Sequence, residues 1–248
     1  MKASSPGEPV NSLHQAALRQ YSAHYERLSS TLDVAKFPRR TYKNMELMYG
    51  RLLDRLAAGQ AVADLGCGAG FLLHWLSGRP HLRLTGCDLS ESQAELARKA
   101  VPSAEIVFQD AVDFLEGKRD AFGAVFCMDM LEHLETDDQC FRLLSEVHQA
   151  LERNGFFVCR VPNAANVLAS FHRYLDITHH RMFTSHSLRQ AFEAAGFQEI
   201  RFLPHRSSSL VANVRLGLEY VLHRALYLLS GYARREIYTE NLVAVAFK

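Results

Sequence analysis

The sequence has no surplus of charge of either sign. Its 248 residues include 28 Lys and Arg against 27 Asp and Glu, a formal net charge of +1, and both signs are dispersed along the chain. Because a protein that binds a phosphate backbone needs a basic surface, nucleic acid is not expected among its partners. A small-molecule or glycan substrate fits this charge balance better.

The sequence also lacks paired cysteines and an apolar segment near its N-terminus. Its five cysteines stand singly, at positions 67, 87, 127, 140 and 159. None of these spacings is that of a metal site, so we interpret them as small buried apolar residues of a protein in a reducing compartment. The first ten residues are polar and offer no signal segment, which favours a cytoplasmic location.

No linker divides the chain, whose composition of 48% hydrophobic and 22% charged residues supports one large core. Its most informative stretch is a strand, a glycine turn and a helix in succession. Residues 61–65 form a short apolar run containing Asp64, and a Gly-x-Gly-x-Gly turn leads into residues 71–76, which have helical spacing. Glycines let a backbone approach a ligand, and a helix N-terminus offers free N–H groups. Alone the pattern is weak, because a tight turn without a ligand has the same form.

Two further acids follow at informative distances. Residues 82–88 are predicted to form a second strand, and it ends in Asp88, about twenty residues beyond the glycines, where a ribose diol needs an acceptor. Residues 105–110 form a third strand ending in Asp110. Because Asp64 would repel a pyrophosphate near the glycines, we expect a nucleoside ligand without phosphates.

These three motifs, in this order, resemble those of the class I S-adenosylmethionine-dependent methyltransferases, which carry a D-x-G-x-G-x-G sequence and acids after their second and third strands. The resemblance covers roughly residues 45–200. It implies S-adenosylmethionine as the cofactor. The cofactor-binding residues that it implies are Asp64, Gly66, Gly68, Asp88, Leu89, Asp110, Ala111 and Met128.

Strands and helices alternate through the rest of the chain. Further strands are predicted over 121–128, 155–161, 197–203 and 242–247, and further helices over 41–57, 137–151 and 185–195. This alternation predicts an α/β fold with a doubly wound, mostly parallel sheet that gathers ligands at the carboxyl ends of its strands. The resemblance implies seven strands in a Rossmann-like sheet, N-terminal helices, an antiparallel last strand and a helical insertion before it, at about 205–238.

The N-terminal region, residues 1–40, is predicted to contain a tail and a helix over 13–28. Tyr21 and Tyr25 share one face of that helix. In similar methyltransferases such a helix closes over the cofactor, so these tyrosines are lid candidates, with ordinary packing as the alternative. Residues 41–248 are then the methyltransferase domain.

Residues 208–230 form a long apolar stretch interrupted by polar residues. Arg215, Glu219 and His223 recur at every fourth position and form one stripe, which argues against a membrane span. The pattern predicts an amphipathic helix with a wide apolar face. That face would pack on the domain core or on a second copy in a homodimer, or would make a peripheral membrane contact.

The residues after the fourth strand bear on the chemistry. An Asn/Asp-Pro-Pro-aromatic motif, typical of nucleobase methylation, is absent. Residues 127–133 instead resemble the ubiquinone-biosynthesis O-methyltransferases, and this implies that Asp129, Glu132 and His133 hold a divalent cation such as Mg²⁺. Alternatively, His133 is a catalytic base, since neutral imidazole can accept a hydroxyl proton, or it anchors the following helix with Glu132.

A second candidate base follows the fifth strand. Residues 173–184 resemble a stretch found in methyltransferases of polysaccharide and O-antigen biosynthesis, and they include His179. Polar residues between a strand and a helix cap belong on a substrate-facing loop. Alternatively, His179 is hydrogen-bonded to Asp176 for structural reasons.

Together these observations predict an S-adenosylmethionine-dependent O-methyltransferase that acts on a hydroxyl of a sugar, glycan, glycolipid or glycosylated metabolite. The first alternative is O-methylation of a phenolic quinone precursor or another small aromatic. The second is a non-catalytic binding partner that keeps the fold.

Overall fold

The computed structural model describes residues 39–203, 207–232 and 236–248, which form one seven-stranded sheet flanked by helices. The strands are β1 (Ala61–Leu65), β2 (Arg83–Asp88), β3 (Glu105–Phe108), β4 (Phe122–Met128), β5 (Leu151–Pro162), β6 (Glu199–Phe202) and β7 (Asn241–Phe247). The helices are α1 (Arg39–Leu53), α2 (Phe71–Leu76), α3 (Glu91–Ala100), α4 (Ala111–Leu115), α5 (Asp137–Ala150), α6 (Ala169–Leu175), α7 (Ser185–Ala194) and α8 (Leu210–Leu229), and a 3₁₀ turn spans Leu131–His133.

The sheet has the order β3-β2-β1-β4-β5-β7-β6. Strands β1 to β5 pair in parallel, and β7 lies antiparallel between β5 and β6. The predicted doubly wound sheet with an antiparallel last strand is therefore confirmed. Its carboxyl edge brings together the ends of β1, β2 and β4, which places the glycine turn beside the loop after β4.

The core lies on both faces of the sheet, because alternate side chains of a strand point to opposite sides. Ala63 and Leu65 of β1 pack in a cluster that includes Leu143 of α5. Val62 packs in a second cluster, with Leu73 of α2. All five residues of β1 are buried, as expected of a central parallel strand that helices cover on both sides.

Several element boundaries differ from the predictions. Strand β5 begins at Leu151, four residues earlier than predicted, and it passes through Asn154 in a left-handed conformation with φ +67°. Strand β6 is shorter than predicted at both ends, and α6 lies in a segment to which no element was assigned. The predicted helix over 13–28, with Tyr21 and Tyr25, lies outside the described residues.

Helix α8 carries the predicted polar stripe and wide apolar face. Within the stripe, His223 is the one buried residue of α8, at 4% exposure. The apolar face does not pack on the domain core, which was one of the predicted alternatives, and it presents exposed side chains, among them Val214, Leu218 and Val221, at 56 to 67% exposure. Arg215 and Glu219 form an ion pair one turn apart, at 3.3 Å. Across the described ranges, no helix is long and apolar enough to cross a membrane.

Candidate active site

The three glycines of the turn after β1 have different structural roles. Gly66, Gly68 and Gly70 all have a left-handed backbone, with φ of +69°, +50° and +86°. A Cβ at Gly66 would lie 2.8 Å from Cγ of Met130, and one at Gly70 would lie 3.1 Å from the Cα of Ala97. A Cβ at Gly68 would meet nothing closer than 3.9 Å. Gly66 and Gly70 therefore permit close packing, whereas Gly68 borders open space that a ligand can occupy.

Asp88 at the end of β2 is tied to this turn. Its Oδ2 accepts the N–H of Gly68 at 2.8 Å, and its Oδ1 accepts the N–H of Ser90 at 2.8 Å. Burial raises the pKa of Asp88, while these two hydrogen bonds lower it. A carboxylate can accept about four hydrogen bonds, so the two backbone bonds orient the group and leave capacity for a diol.

Asp64 adds a second carboxyl beneath the turn. It is only 2% exposed, and burial, reinforced by the neighbouring Asp88, raises its pKa well above the ordinary aspartate value. The charge of Arg160 acts in the opposite direction. A phosphate placed at this turn would meet both carboxyls, so the electrostatics of the turn favour a nucleoside without phosphates.

The remaining predicted cofactor-binding residues lie along the same edge of the sheet. Asp110 caps α4, where its Oδ1 accepts the N–H of Val112 at 2.8 Å. Ala111 is the first residue of α4, Leu89 follows β2 with its side chain 52% exposed, and Met128 ends β4 half-buried. Asp110 thus has a structural role in addition to its predicted one.

The predicted cation site requires Asp129, Glu132 and His133 to converge, but the ligand group found within the described residues does not include Asp129. Asp129 is instead bound by Arg160 through two hydrogen bonds, one of them from Nε to Oδ1 at 2.7 Å. Its backbone is left-handed, with φ +54°, and its N–H donates to the carbonyl of Arg160 at 3.0 Å. Because the guanidinium engages both Asp129 oxygens, the remaining donor set is poor in the hard oxygen ligands that Mg²⁺ requires.

Glu132, His133 and His179 do converge. Within the described part of the chain, their ligand atoms all lie within 4.8 Å of one another. Glu132 is 1% exposed, and its Oε2 has no hydrogen-bond partner among the described residues. Burial, followed by the charge of Asp129, raises the pKa of Glu132 well above its ordinary value. One carboxylate and two imidazoles suit first-row transition metals better than Mg²⁺.

The two candidate bases are neighbours, and hydrogen bonds fix the tautomer of one of them. The rings of His133 and His179 meet edge to face, with centroids 4.9 Å apart. Thr178 donates its hydroxyl proton to Asp176 at 2.7 Å, so its Oγ1 must accept from Nδ1 of His133, at 2.9 Å. In the neutral ring the proton is therefore on Nδ1, and Nε2 is the nitrogen that can take up another proton.

The protonation equilibria favour a neutral His133. Burial and the adjacent His179 lower its pKa to about 4. Burial tends to raise the pKa of Asp176, but the hydrogen bonds from Thr178 outweigh it and lower that pKa. At neutral pH Asp176 is therefore ionised and accepts the Thr178 hydroxyl. Thr178 in turn accepts from a neutral His133 that is protonated only at Nδ1.

Backbone contacts hold the two histidine-bearing loops together. The N–H groups of His180 and Arg181 both donate to the carbonyl oxygen of Glu132, at 2.8 and 3.3 Å. The Arg181 side chain also donates to the carbonyl of Leu134, at 3.0 Å. The sequence indicated both histidines but missed the Asp176–Thr178 connection; the Asp-x-Thr spacing, typical of a side-chain-capped turn, was the available signal.

The sheet order, the open space at Gly68 and the tethered Asp88 together define a class I S-adenosylmethionine-dependent methyltransferase fold. Gly68 and Asp88 are the residues predicted to meet that cofactor, and the structure brings them together through the hydrogen bond between them. A family model described as "Methyltransferase domain" matches residues 39–201, and the chain belongs to this family.

Individual relatives match shorter parts of the chain than the family model does. Methyltransferase GfsG of Streptomyces halstedii is 28% identical over 109 residues, which cover 41% of this chain and 39% of the relative. The ubiquinone biosynthesis O-methyltransferase of Thiobacillus denitrificans is 35% identical over 81 residues, covering 31% and 34%. The chain thus matches less than half the length of these relatives.

Solved structures share the fold at low identity. A SAM-dependent methyltransferase from Archaeoglobus fulgidus aligns with a TM-score of 0.64 at 19% identity, covering 84% of this chain and 94% of that one. Phosphoethanolamine N-methyltransferase 2 of Haemonchus contortus, solved with S-adenosyl-L-methionine, aligns with a TM-score of 0.58 at 17% identity, covering 83% and 52%. Similarity at this level establishes the fold and leaves the methyl acceptor open.

Proposed function

We propose that this protein is an S-adenosylmethionine-dependent O-methyltransferase whose acceptor is a hydroxyl of a sugar in a glycan, glycolipid or glycosylated metabolite. The observation that carries the proposal is the chain Asp176–Thr178–His133. It supplies a neutral imidazole of fixed tautomer beside the edge of the sheet where the cofactor fits. An acceptor hydroxyl must lose its proton during methyl transfer, and such an imidazole can take it.

Different residues would bind the cofactor and transfer the proton. When bound, S-adenosylmethionine supplies an activated methyl group on a sulfonium. Asp88 and Gly68 would hold the cofactor. His133 would accept the hydroxyl proton at Nε2 as the new O–C bond forms and the methyl–sulfur bond breaks, its electron pair remaining on the sulfur of a neutral thioether. Thr178 would keep Nδ1 protonated, and Asp176 would offset the charge that the imidazolium gains.

A sugar is favoured as the acceptor by the polarity of the loop that carries the second histidine. Asp176 and His179 come from one turn and are half-buried, so they can offer hydrogen-bonding groups to vicinal hydroxyls. The similarity of this segment to polysaccharide-associated methyltransferases supports the same assignment. The likeness to a ubiquinone biosynthesis O-methyltransferase favours a phenol as the second candidate.

Incubation with methyl-labelled cofactor and a panel of sugar nucleotides, glycolipids and catechols tests the proposal. We expect label on a sugar hydroxyl, and we expect His133→Ala to abolish most of it. The matched control is His81→Ala, which changes an exposed histidine outside the site. Label on catechols alone would support the second candidate, and label on nitrogen would contradict O-methylation.

A further inference from the structure

Exposed apolar side chains are concentrated on α8 and on the segment around α6. On α8 its members are Leu210, Val211, Val214, Leu218, Val221, Leu222, Leu228 and Leu229, and around α6 they are Leu168, Phe171, Tyr174, Leu175 and Ile177; all are 51 to 90% exposed. We call these thirteen side chains the apolar patch. Monomeric proteins rarely expose apolar side chains in such numbers unless something binds them.

The orientation of α8 that creates the patch is specified by hydrogen bonds. His223 donates from Nδ1 to the carbonyl of Glu219 at 2.7 Å, and its Nε2 accepts the N–H of Val167 at 3.0 Å. Tyr227 donates to the carbonyl of Ala165 at 2.9 Å. These contacts also join α8 to the segment that leads into α6. The polar side of the helix is therefore fixed against the domain, and the apolar side faces outward.

The border of the patch is basic. Arg40 of α1 and Arg215 of α8 line one cavity of about 390 Å³, together with Ser207 and Ser209. The first turn of α1 also carries the exposed Arg39 and Lys43, and its Asn44 accepts the N–H of Ser208 at 2.8 Å, which places α1 beside the start of α8.

Further cations lie along the patch. Arg224 lies on α8, and Arg173 of α6 stacks on the ring of Tyr174, 5.2 Å from its centroid. The two acids in these segments are Glu219, which pairs with Arg215, and Asp176, and they offset only two of the six cations Arg39, Arg40, Lys43, Arg173, Arg215 and Arg224. The net charge around the patch is therefore positive.

We propose that the apolar patch seats the protein on the surface of an anionic lipid bilayer. Exposed Leu, Val and Phe side chains would enter the boundary between headgroups and acyl chains, and the surrounding arginines and lysines would meet anionic headgroups. A second copy of this chain fits less well, because a twofold contact would bring the two basic borders together. The patch also reaches the candidate active site, since Ile177, 90% exposed, lies between Asp176 and Thr178.

Cosedimentation of the full chain with vesicles tests the proposal. The vesicles are pure phosphatidylcholine, or phosphatidylcholine with phosphatidylglycerol, and no methyl acceptor is needed. We expect binding to the anionic vesicles that weakens at high salt, and a loss of at least about tenfold in the partition coefficient for Leu218→Ser/Val221→Ser, because two apolar side chains leave the interface. The control Leu96→Ser/Phe141→Ser removes two exposed apolar side chains outside the patch, on α3 and α5, and should bind like the wild type.

Three outcomes would overturn the proposal. One is no binding to anionic vesicles by a wild type that still binds cofactor in calorimetry. Another is equal binding by Leu218→Ser/Val221→Ser and the control. The third is a dimer in sedimentation velocity that Leu218→Ser/Val221→Ser dissociates, without vesicle binding, which would assign the patch to a second copy. None of these readouts depends on methyl transfer, so a failure of the proposed function would leave the test intact.

Discussion

At the scale of single residues, Gly68 is the position at which cofactor binding can be separated from packing. Gly68→Ala should weaken S-adenosylmethionine binding at least about tenfold, or roughly 1.4 kcal/mol, because its methyl group enters the open space beside the turn. The left-handed backbone adds a strain of about 1 to 2 kcal/mol to folding. Calorimetry and thermal melts measure the two effects separately.

Gly117→Ala is the matched control for this variant. Gly117 is also left-handed, with φ +75°, and a Cβ there would meet no atom within 4 Å, but it lies beyond the far end of α4. It should lose similar stability and keep full cofactor affinity. Equal losses of affinity in both variants would show that strain, and not the ligand space, explains the effect at Gly68.

The low pKa of His133, about 4, gives the proposed base a definite pH dependence. His133→Ala should lower kcat roughly 10²- to 10⁴-fold with cofactor affinity unchanged. In the wild type, the acid limb of kcat should lie near pH 4, because Nε2 is already unprotonated well below the ordinary histidine value of about 6.5. A limb near 6.5, or activity that depends on added Mg²⁺, would contradict a buried histidine base.

The same shift affects stability. A histidine whose pKa is lowered by folding contributes its full stability above the unfolded value of about 6.5 and loses it as the pH falls toward 4, because only the unfolded chain takes up the proton. Melting temperatures measured between these values should therefore decline less steeply for His133→Ala than for the wild type. Parallel curves would mean that the folded protein does not hold His133 neutral.

Thr178 is proposed as a positioning residue. Thr178→Val keeps the shape of the side chain but removes the hydroxyl that accepts from His133, so kcat should fall while KM changes little. Thr178→Ser should restore most of the rate, since it returns the hydroxyl. A purely structural role would instead lower the melting temperature of Thr178→Val and leave its kcat and pH profile unchanged.

At the scale of elements, the attachment of α8 depends on a few polar contacts. His223→Ala removes two hydrogen bonds, each worth about 1 kcal/mol, and should loosen the helix without unfolding the sheet. In hydrogen exchange, the amides of α8 should exchange faster and those of β1 and β4 should not, whereas His81→Ala should change neither. Unchanged exchange in α8 would show that its other contacts hold the helix on the domain without His223.

The strands illustrate what sequence patterns can predict. β4 is a continuous apolar run, β7 is one after its first residue, and β1 is one interrupted only by Asp64. Such runs are typical of central buried strands, and the sheet was predicted correctly. Helix α8 illustrates the limit. Periodicity shows which residues share a face, but the partners of His223 lie partly in Val167, 56 residues away, and no local pattern reveals them.

In the candidate site, too, some residues could be predicted from the sequence and others could not. Asp88 was singled out because the role predicted for it belongs to a fixed position, the end of the second strand, and the structure places it there. Asp129 was assigned to a cation because its spacing from Glu132 matched a known motif, yet its partner is Arg160, 31 residues further along the chain. A carboxylate binds whichever cationic group the fold brings to it, and this choice depends on tertiary structure.

At the scale of the whole molecule, the five cysteines report on global unfolding. All are buried and unpaired, and burial raises the pKa of several of them, that of Cys140 to about 11. A thiol reagent should therefore label the native protein at the rate of its unfolding, and it should label five thiols at once in denaturant. Rapid labelling of one cysteine in the native protein would reveal a local opening at that site.

The close packing of Gly70 against Ala97 limits what the glycine turn can reveal about catalytic activity. The third glycine of the turn sets the separation of two helices and contacts no ligand space, so a descendant that lost all catalytic activity would still be selected to keep it. Its presence is therefore evidence of inherited architecture. In a descendant without catalytic activity, Gly68 would be kept only by the strain of its left-handed backbone, because its Cβ position borders open space and meets no packed atom.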